Sequence, residues 1–180
     1  MVPHNEATEV LWDLVCGTSV NMSTSQHFIQ KLNLEAHPEG GYYRRIYQSP
    51  QLNETPRGKR HSATAIHYLL ERHDFSAWHR IQHDEIWFFH QGAPLIIRTL
   101  DQQGILDEFI LSTEHELSIC VPGKTWFCSE PMANAVEDFS LVSCVVSPGF
   151  DFDDFEMGNA EALIAEYPQH TAIIQRLCRG

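Results

Sequence analysis

Between residues 41 and 146 apolar side chains recur in short runs or alternate with polar ones, and Gly, Pro and polar clusters separate the runs. Eight segments stand out, at 42–48, 64–70, 85–89, 95–99, 106–111, 118–121, 125–128 and 139–146. Runs of this length with a period of two bury one face of a strand, so the pattern predicts a mainly all-β chain, and eight runs suit a jelly-roll barrel. Reversals are predicted at Gln91-Gly92-Ala93-Pro94, Asp101-Gln102-Gln103-Gly104 and Pro122-Gly123, where Gly and Pro supply the backbone angles of a turn. Acids alternate with aromatics from Phe150 to Glu156, which predicts a strand that buries Phe150 and Phe152 and leaves Asp151 and Asp153 in water.

The two ends carry a helical period instead. Val10, Leu11, Leu14 and Val15 predict a helix over 6–16, and Phe28, Ile29 and Leu32 predict one over 25–32. Near the C-terminus Asn159 is a candidate N-cap, Tyr167-Pro168 a break, and Ile173, Ile174 and Leu177 mark a last helical piece. With no internal repeat or linker, the expectation is one domain: a helical segment over 1–34, a barrel over 35–157 and a helical segment over 158–180.

Composition narrows the partners. The 180 residues include 24 acidic and 12 basic side chains, a formal net charge of −12, and no cluster of Lys and Arg offers the footprint that a phosphate backbone needs. Nucleic acid is therefore not an expected partner. No basic, apolar and small-residue succession marks a secretory signal, and no stretch approaches about 18 apolar residues, so a soluble chain without a membrane partner is expected. Five cysteines, Cys16, Cys120, Cys128, Cys144 and Cys178, are odd in number and form no CxxC pair, which argues for a reducing, cytoplasmic setting and for buried thiols in the apolar runs.

The densest chemistry lies in Trp78-His79-Arg80-Ile81-Gln82-His83-Asp84-Glu85-Ile86-Trp87-Phe88-Phe89-His90-Gln91-Gly92. On an extended chain His83, Glu85, Trp87 and Phe89 share one face, and His79 joins them if the chain stays extended that far. A neighbouring imidazole and carboxylate can move a proton, hold a divalent metal or merely neutralise each other. His67 approaches that face if its half of 64–70 points inward, and is otherwise an ordinary core or surface histidine. Tyr43, Arg45 and Tyr47 share a strand face opposite Tyr42, Arg44 and Ile46, and an Arg between tyrosines suits a carboxylate, a phosphate or a sugar. The plainer reading pairs Arg44 and Arg45 with surface acids. Trp87, Phe89 and Trp126 are candidates for an aromatic wall, with core packing as the alternative. The turn His37-Pro38-Glu39-Gly40-Gly41 concentrates functional side chains beside two glycines, which serve at least the turn itself. Asp151, Asp153, Asp154 and Glu156 lack the spacing of a calcium loop and read as a solvated face.

These segments resemble the cupin superfamily. Its first motif places a Glu, then six residues, then a Gly, as in Glu85-x6-Gly92; its paired histidines are closer together than His79-x3-His83. The resemblance extends to a cupin-like family of uncharacterised function through Leu34-x2-His37-Pro38-Glu39-Gly40-Gly41-Tyr42-Tyr43-Arg44, Ala65-Ile66-His67-Tyr68-Leu69-Leu70, Trp78-His79-x3-His83-x-Glu85-x-Trp87, Val121-Pro122-Gly123-x2-Trp126 and Pro148-Gly149-Phe150-Asp151-Phe152-x2-Phe155-Glu156. It implies a double-stranded β-helix, usually a homodimer. Metal-binding cupins take another histidine from a second motif, and that place falls here on Trp126 or Phe127. A divalent metal is thus not the favoured cofactor, and His79, His83 and Glu85 are the residues that would hold one.

The expected function is that of a small-molecule cupin, as an isomerase or epimerase of a sugar or hydroxy-acid derivative. In that reading His79 or His83 moves the proton, Glu85 orients the imidazole, and Tyr43, Arg45, His67, Trp87, Phe89 and Trp126 are the candidate ligand contacts. A non-catalytic binding or sensing module and a metal-dependent oxygenase are the alternatives.

Overall fold

A computed structural model describes residues 24–179, so the helix predicted over 6–16 and Cys16 lie outside the described residues. The chain runs from helix α1 (Thr24–Lys31) through β1 (Glu35–Ala36), β2 (Tyr42–Gln48), β3 (Leu52–Thr55), β4 (Gly58–His61), β5 (Thr64–Glu71), β6 (Ser76–Ile81) and β7 (Asp84–Gly92). It continues through β8 (Leu95–Leu100), β9 (Leu106–Leu111), β10 (Ser118–Val121), β11 (Trp126–Pro131), β12 (Phe139–Ser147) and β13 (Phe155–Met157) to helices α2 (Ala160–Glu166) and α3 (Thr171–Leu177). One sheet has the order β1-β2-β5-β12-β7-β10, a second has β13-β6-β11-β8-β9, and β3 and β4 form a separate hairpin.

The two large sheets are antiparallel and enclose the main core, in which Tyr68, Leu70, Trp87 and Val142 of the first meet Ile81, Ile97 and Phe127 of the second. Alternation explains why strands of the same sheets also carry apolar residues outward. Behind the five-stranded sheet, Trp78, Trp126 and Cys128 pack with Leu163, Tyr167, Ile174 and Leu177 of the C-terminal helices. On the outer side of the other sheet, Phe28, Ile29 and Leu32 cover Leu69 and Leu141. Asn159 caps α2 by accepting from the Ala162 N–H at 3.0 Å, as its position before the helix predicted. None of the described helices is long and apolar enough to cross a membrane.

Three local expectations are corrected. The stretch around His79 and Glu85 is two strands, β6 and β7, with Gln82 and His83 in the turn between them. The hairpin β3–β4 was not foreseen, because Leu52 is its one large apolar residue and no alternation is legible there. The aromatic–acidic segment is not a single strand: Phe152–Asp154 is a 3-10 turn, Phe152 is 51% exposed and Asp154 is buried. Arg60 of the hairpin explains that inversion, since its guanidinium grips both oxygens of Asp154 at 2.6 and 3.2 Å and neutralises a carboxylate that could not be buried alone. Cys128 and Cys144 are buried as expected, whereas Cys120 is exposed on the outward side of β10.

Candidate active site

The site begins at the turn before β2. Gly40 and Gly41 both have positive φ, 119° and 68°, and a Cβ on Gly41 would stand 2.6 Å from the Leu69 carbonyl oxygen. Only glycine accepts that conformation and that approach together. The turn is then fastened from several sides: Tyr68 donates its hydroxyl to the Gly40 carbonyl at 2.7 Å, Ala77 N–H and Arg179 Nε donate to the Glu39 carbonyl at 2.9 and 3.0 Å, and Asp74 accepts from Gly41 N–H. These bonds fix His37 and Glu39 on the barrel interior.

His79, on the inward face of β6, is 2% exposed and meets an oxygen at each ring nitrogen: the Ala77 carbonyl lies 2.7 Å from Nδ1 and a Glu39 carboxylate oxygen 3.1 Å from Nε2. The carbonyl can only accept, so Nδ1 is the donor there, and Nε2 faces the carboxylate. Ser76 Oγ donates to the other Glu39 oxygen at 2.9 Å. Glu39 is thus held by Ser76 at one oxygen and faces His79 with the other. His37 Nδ1 accepts from the Glu39 N–H at 3.3 Å and sits 3.6 Å from its carboxylate. Burial, more than the opposing pull of Glu39, holds the His37 pKa below its ordinary value, with His79 adding to the lowering.

Glu85, on the inward face of β7, has no cation beside it. Burial, reinforced by the charge of Glu39, pushes its pKa up to about 8, against weaker stabilisation of the charged form by Trp87 and Cys144. The indole Nε1 of Trp87 makes no hydrogen bond by geometry, so it acts on Glu85 as a nearby dipole. At neutral pH Glu85 is a carboxylic acid, able to donate. Next to it Cys144 is a buried thiol whose pKa burial and the two glutamates raise, which leaves it protonated and inert.

His37, Glu39, His79 and Glu85 open onto one cavity, walled by apolar side chains including Ile66, Ile81, Val146, Phe150 and Phe155. Its volume is ≈ 40 Å³, room for about three waters at roughly 10–15 Å³ each. Tyr43, Arg45 and Phe150 form its neck and also line a wider vestibule of ≈ 390 Å³ with Glu35, Asp151 and Phe152. His37, Tyr43, Phe150, Phe152 and Phe155 make a connected aromatic rim, with His37 and Tyr43 edge to face at 4.6 Å and Phe150 and Phe152 at 5.1 Å.

Of the residues the sequence singled out, His79, Glu85, Tyr43 and Arg45 meet at this cavity. His83 does not: it lies in the β6–β7 turn with Nε2 3.7 Å from Asp154, on the Arg60 side of the barrel. His67 is on the outer sheet face, where it and His90 both bond Ser143 Oγ, at 3.1 and 2.6 Å; Thr64, Ile66, Tyr68 and Leu70 are the inward half of β5. Trp87 and Phe89 belong to the core beneath the cavity. Trp126 faces the C-terminal helices, with the Arg80 guanidinium 4.4 Å above its ring. A register shift between Arg45 and Tyr47 separates the expected Tyr43–Arg45–Tyr47 face, placing Tyr47 opposite outward-facing Ala65. Neither Arg44 nor Arg45 forms an ion pair among the described residues, contrary to the plainer reading of them. The assignment of partners also changes: His79 is bound to Glu39, which lies far from it in sequence, and not to Glu85.

The donor set does not fit a divalent metal. No three His, Cys, Asp or Glu side chains among the described residues converge with metal-holding geometry. The position that would carry a further histidine is Phe127, paired across strands with His79 and packed on its ring at 4.0 Å.

Comparison with known proteins agrees with this architecture. A family model described as Cupin superfamily (DUF985) matches residues 26–158. The chain is similar to a hypothetical protein from Leishmania major, with TM-score 0.82 and 31% identity over 88% of this chain and 100% of the other. It is likewise similar to a protein of Shewanella oneidensis, with TM-score 0.79 and 40% identity over 88% and 99%. A cupin-2 domain of Rhodospirillum rubrum shares the fold at 14% identity, with TM-score 0.57 over 82% of this chain and 89% of that one. No curated protein matches the sequence.

Proposed function

Since the chain belongs to the DUF985 family of the cupin superfamily and has its double-sheet barrel, we propose that it is a small-molecule acid–base enzyme, an isomerase or epimerase acting on a sugar or hydroxy-acid derivative. One observation carries this reading: a cavity holds a buried carboxylic acid, Glu85, together with a second carboxyl group, Glu39, one oxygen of which lies 3.1 Å from His79 Nε2. A carboxylic acid that keeps its proton beside a second carboxyl group held in a fixed orientation offers a donor and an acceptor in one site.

In this mechanism Glu85 donates a hydrogen bond, and then its proton, to a carbonyl oxygen of the substrate. The Glu39 carboxylate takes the proton from the adjacent carbon, giving an enol. Glu39 then returns its proton to carbon while Glu85 regains one from an enol hydroxyl: delivery to the former carbonyl carbon of an enediol isomerises the substrate, and delivery to the opposite face of the original carbon epimerises it. His79 does not touch the substrate; it steadies the charge on Glu39 and fixes the carboxylate's orientation, with Ser76 holding the other oxygen. The apolar walls keep water from competing for the proton. No step passes through a metal, because the donor set does not fit one. The free thiols Cys120, Cys128, Cys144 and Cys178 support placing this activity in the reducing cytoplasm.

The test is proton exchange in D2O, followed by NMR over a panel of aldoses, ketoses and hydroxy acids. The wild type is expected to replace one carbon-bound proton of a substrate with deuterium. Glu39→Gln and Glu85→Gln should slow that exchange by about 100-fold or more. Unchanged exchange in both variants, or none with any compound while ligands still bind, would leave a binding module in place of an enzyme.

A further inference from the structure

The charge balance along the entrance narrows the substrate class. Arg45 is the one Arg or Lys lining either the inner cavity or the vestibule. Among the described residues its guanidinium has no carboxylate partner, and its one hydrogen bond goes to the neutral Gln48 side chain, at 2.8 Å. Four of its five N–H donors are therefore available. This differs from Arg60, Arg80, Arg98, Arg176 and Arg179, each of which is paired with an acid.

The inner cavity offers no second cationic contact: His79 is engaged at both nitrogens, and His37 is biased to its neutral form. A negative group on the ligand is therefore favoured at the neck and disfavoured beside Glu39 and Glu85. Its charge is limited too, because Glu35 and Asp151 line the same vestibule and one guanidinium has to outweigh them. A phosphate dianion is poorly matched to that balance; a single carboxylate matches the planar fork of Arg45. Arg45 and both glutamates line the same small cavity of ≈ 40 Å³, which favours a short ligand.

Resting on the acid–base reading of this cavity, we propose that its substrate is a short 2-oxo monocarboxylic acid, bound carboxylate-outward on Arg45 with its 2-carbonyl oxygen inward beside Glu85 and its C3 proton beside Glu39. The aromatic rim accommodates any apolar remainder. A neutral sugar does not use the unpaired guanidinium.

The test is an NMR titration of the isotope-labelled protein with pyruvate, 2-oxobutyrate and hydroxypyruvate, against pyruvamide, hydroxyacetone and inorganic phosphate. The expected result is saturable movement of the Trp87 indole and the Glu39 and His79 backbone signals with at least one 2-oxo acid, and none with pyruvamide or hydroxyacetone. Arg45→Gln should weaken that binding by about tenfold or more, and Arg45→Lys by less. Equal binding of pyruvamide, stronger binding of phosphate, an unaffected Arg45→Gln variant, or no response to any of the acids overturns the proposal. Deuterium exchange at C3 separates the two readings. Arg45-dependent binding without exchange leaves the ligand class standing and removes the enzyme, whereas exchange on neutral sugars that survives Arg45→Gln does the reverse.

Discussion

At the scale of single residues, the buried titratable groups tie function to stability. Glu85 holds its proton up to a pH of about 8 in the folded chain, against 4.5 for a free glutamate. Between those values the folded state binds a proton that the unfolded state has released, so stability falls as pH rises, by up to about 1.4 kcal/mol per pH unit. His37 acts in the opposite sense: its lowered pKa means that the unfolded state takes the proton first, so stability falls as pH drops below 6.5. Urea unfolding across this range should show Glu85→Gln flattening the alkaline-side decline, and His37→Gln flattening the acid-side one. A Glu85→Gln variant with the wild-type slope would show that Glu85 titrates normally. The proposed activity should decline through pH 8 as Glu85 loses the proton it donates, and pH profiles of the exchange rate measure this directly. Sequence spacing had marked Glu85 and His79, and had noted the cluster at His37 and Glu39. What it lacked was a signal for the His79–Glu39 bond, because the partners sit on different elements whose approach depends on a two-glycine turn.

At the scale of elements, the hairpin β3–β4 and the 3-10 turn Phe152–Asp154 are joined by one buried ion pair. Arg60 and Asp154 are 7% and 5% exposed, and Arg57 approaches the same carboxylate at 3.9 Å. Removing one member leaves its partner's charge unpaired, so Asp154→Ala should lower stability in chemical denaturation. The change should also loosen Phe150 and Phe152 at the vestibule, which reads out as altered aromatic NMR signals. A double change of Arg60 and Asp154 to apolar residues is expected to recover much of the loss. The eight apolar runs became strands with ends shifted by at most a few residues, because short apolar runs bounded by Gly, Pro and polar clusters mark where a strand begins and ends. The hairpin escaped notice for the same reason: its sequence, Leu52-Asn53-Glu54-Thr55 and Gly58-Lys59-Arg60-His61, holds its place through ions and has no apolar face.

At the scale of the whole molecule, the six-stranded sheet's outer face carries Tyr47, Ile86 and Phe88, each more than a third exposed among the described residues. α1 covers only the neighbouring part, over Leu69 and Leu141. The homodimer implied by the family resemblance remains our proposal, and sedimentation at micromolar concentration should show twice the 20.6 kDa chain mass. A monomer there would remove it.

The sequence by itself determined the barrel, the extents of its main strands, the capped C-terminal helix and the family, because period, turn chemistry and motif spacing are local or linear properties. Only the tertiary structure decided who meets whom. It separated His83 from His79 by a turn, sent His67 and Trp126 to outer faces, and brought Glu39 across the barrel to complete the site. Such pairings depend on strand order and on compensated burial of charge, which no spacing along a single chain encodes.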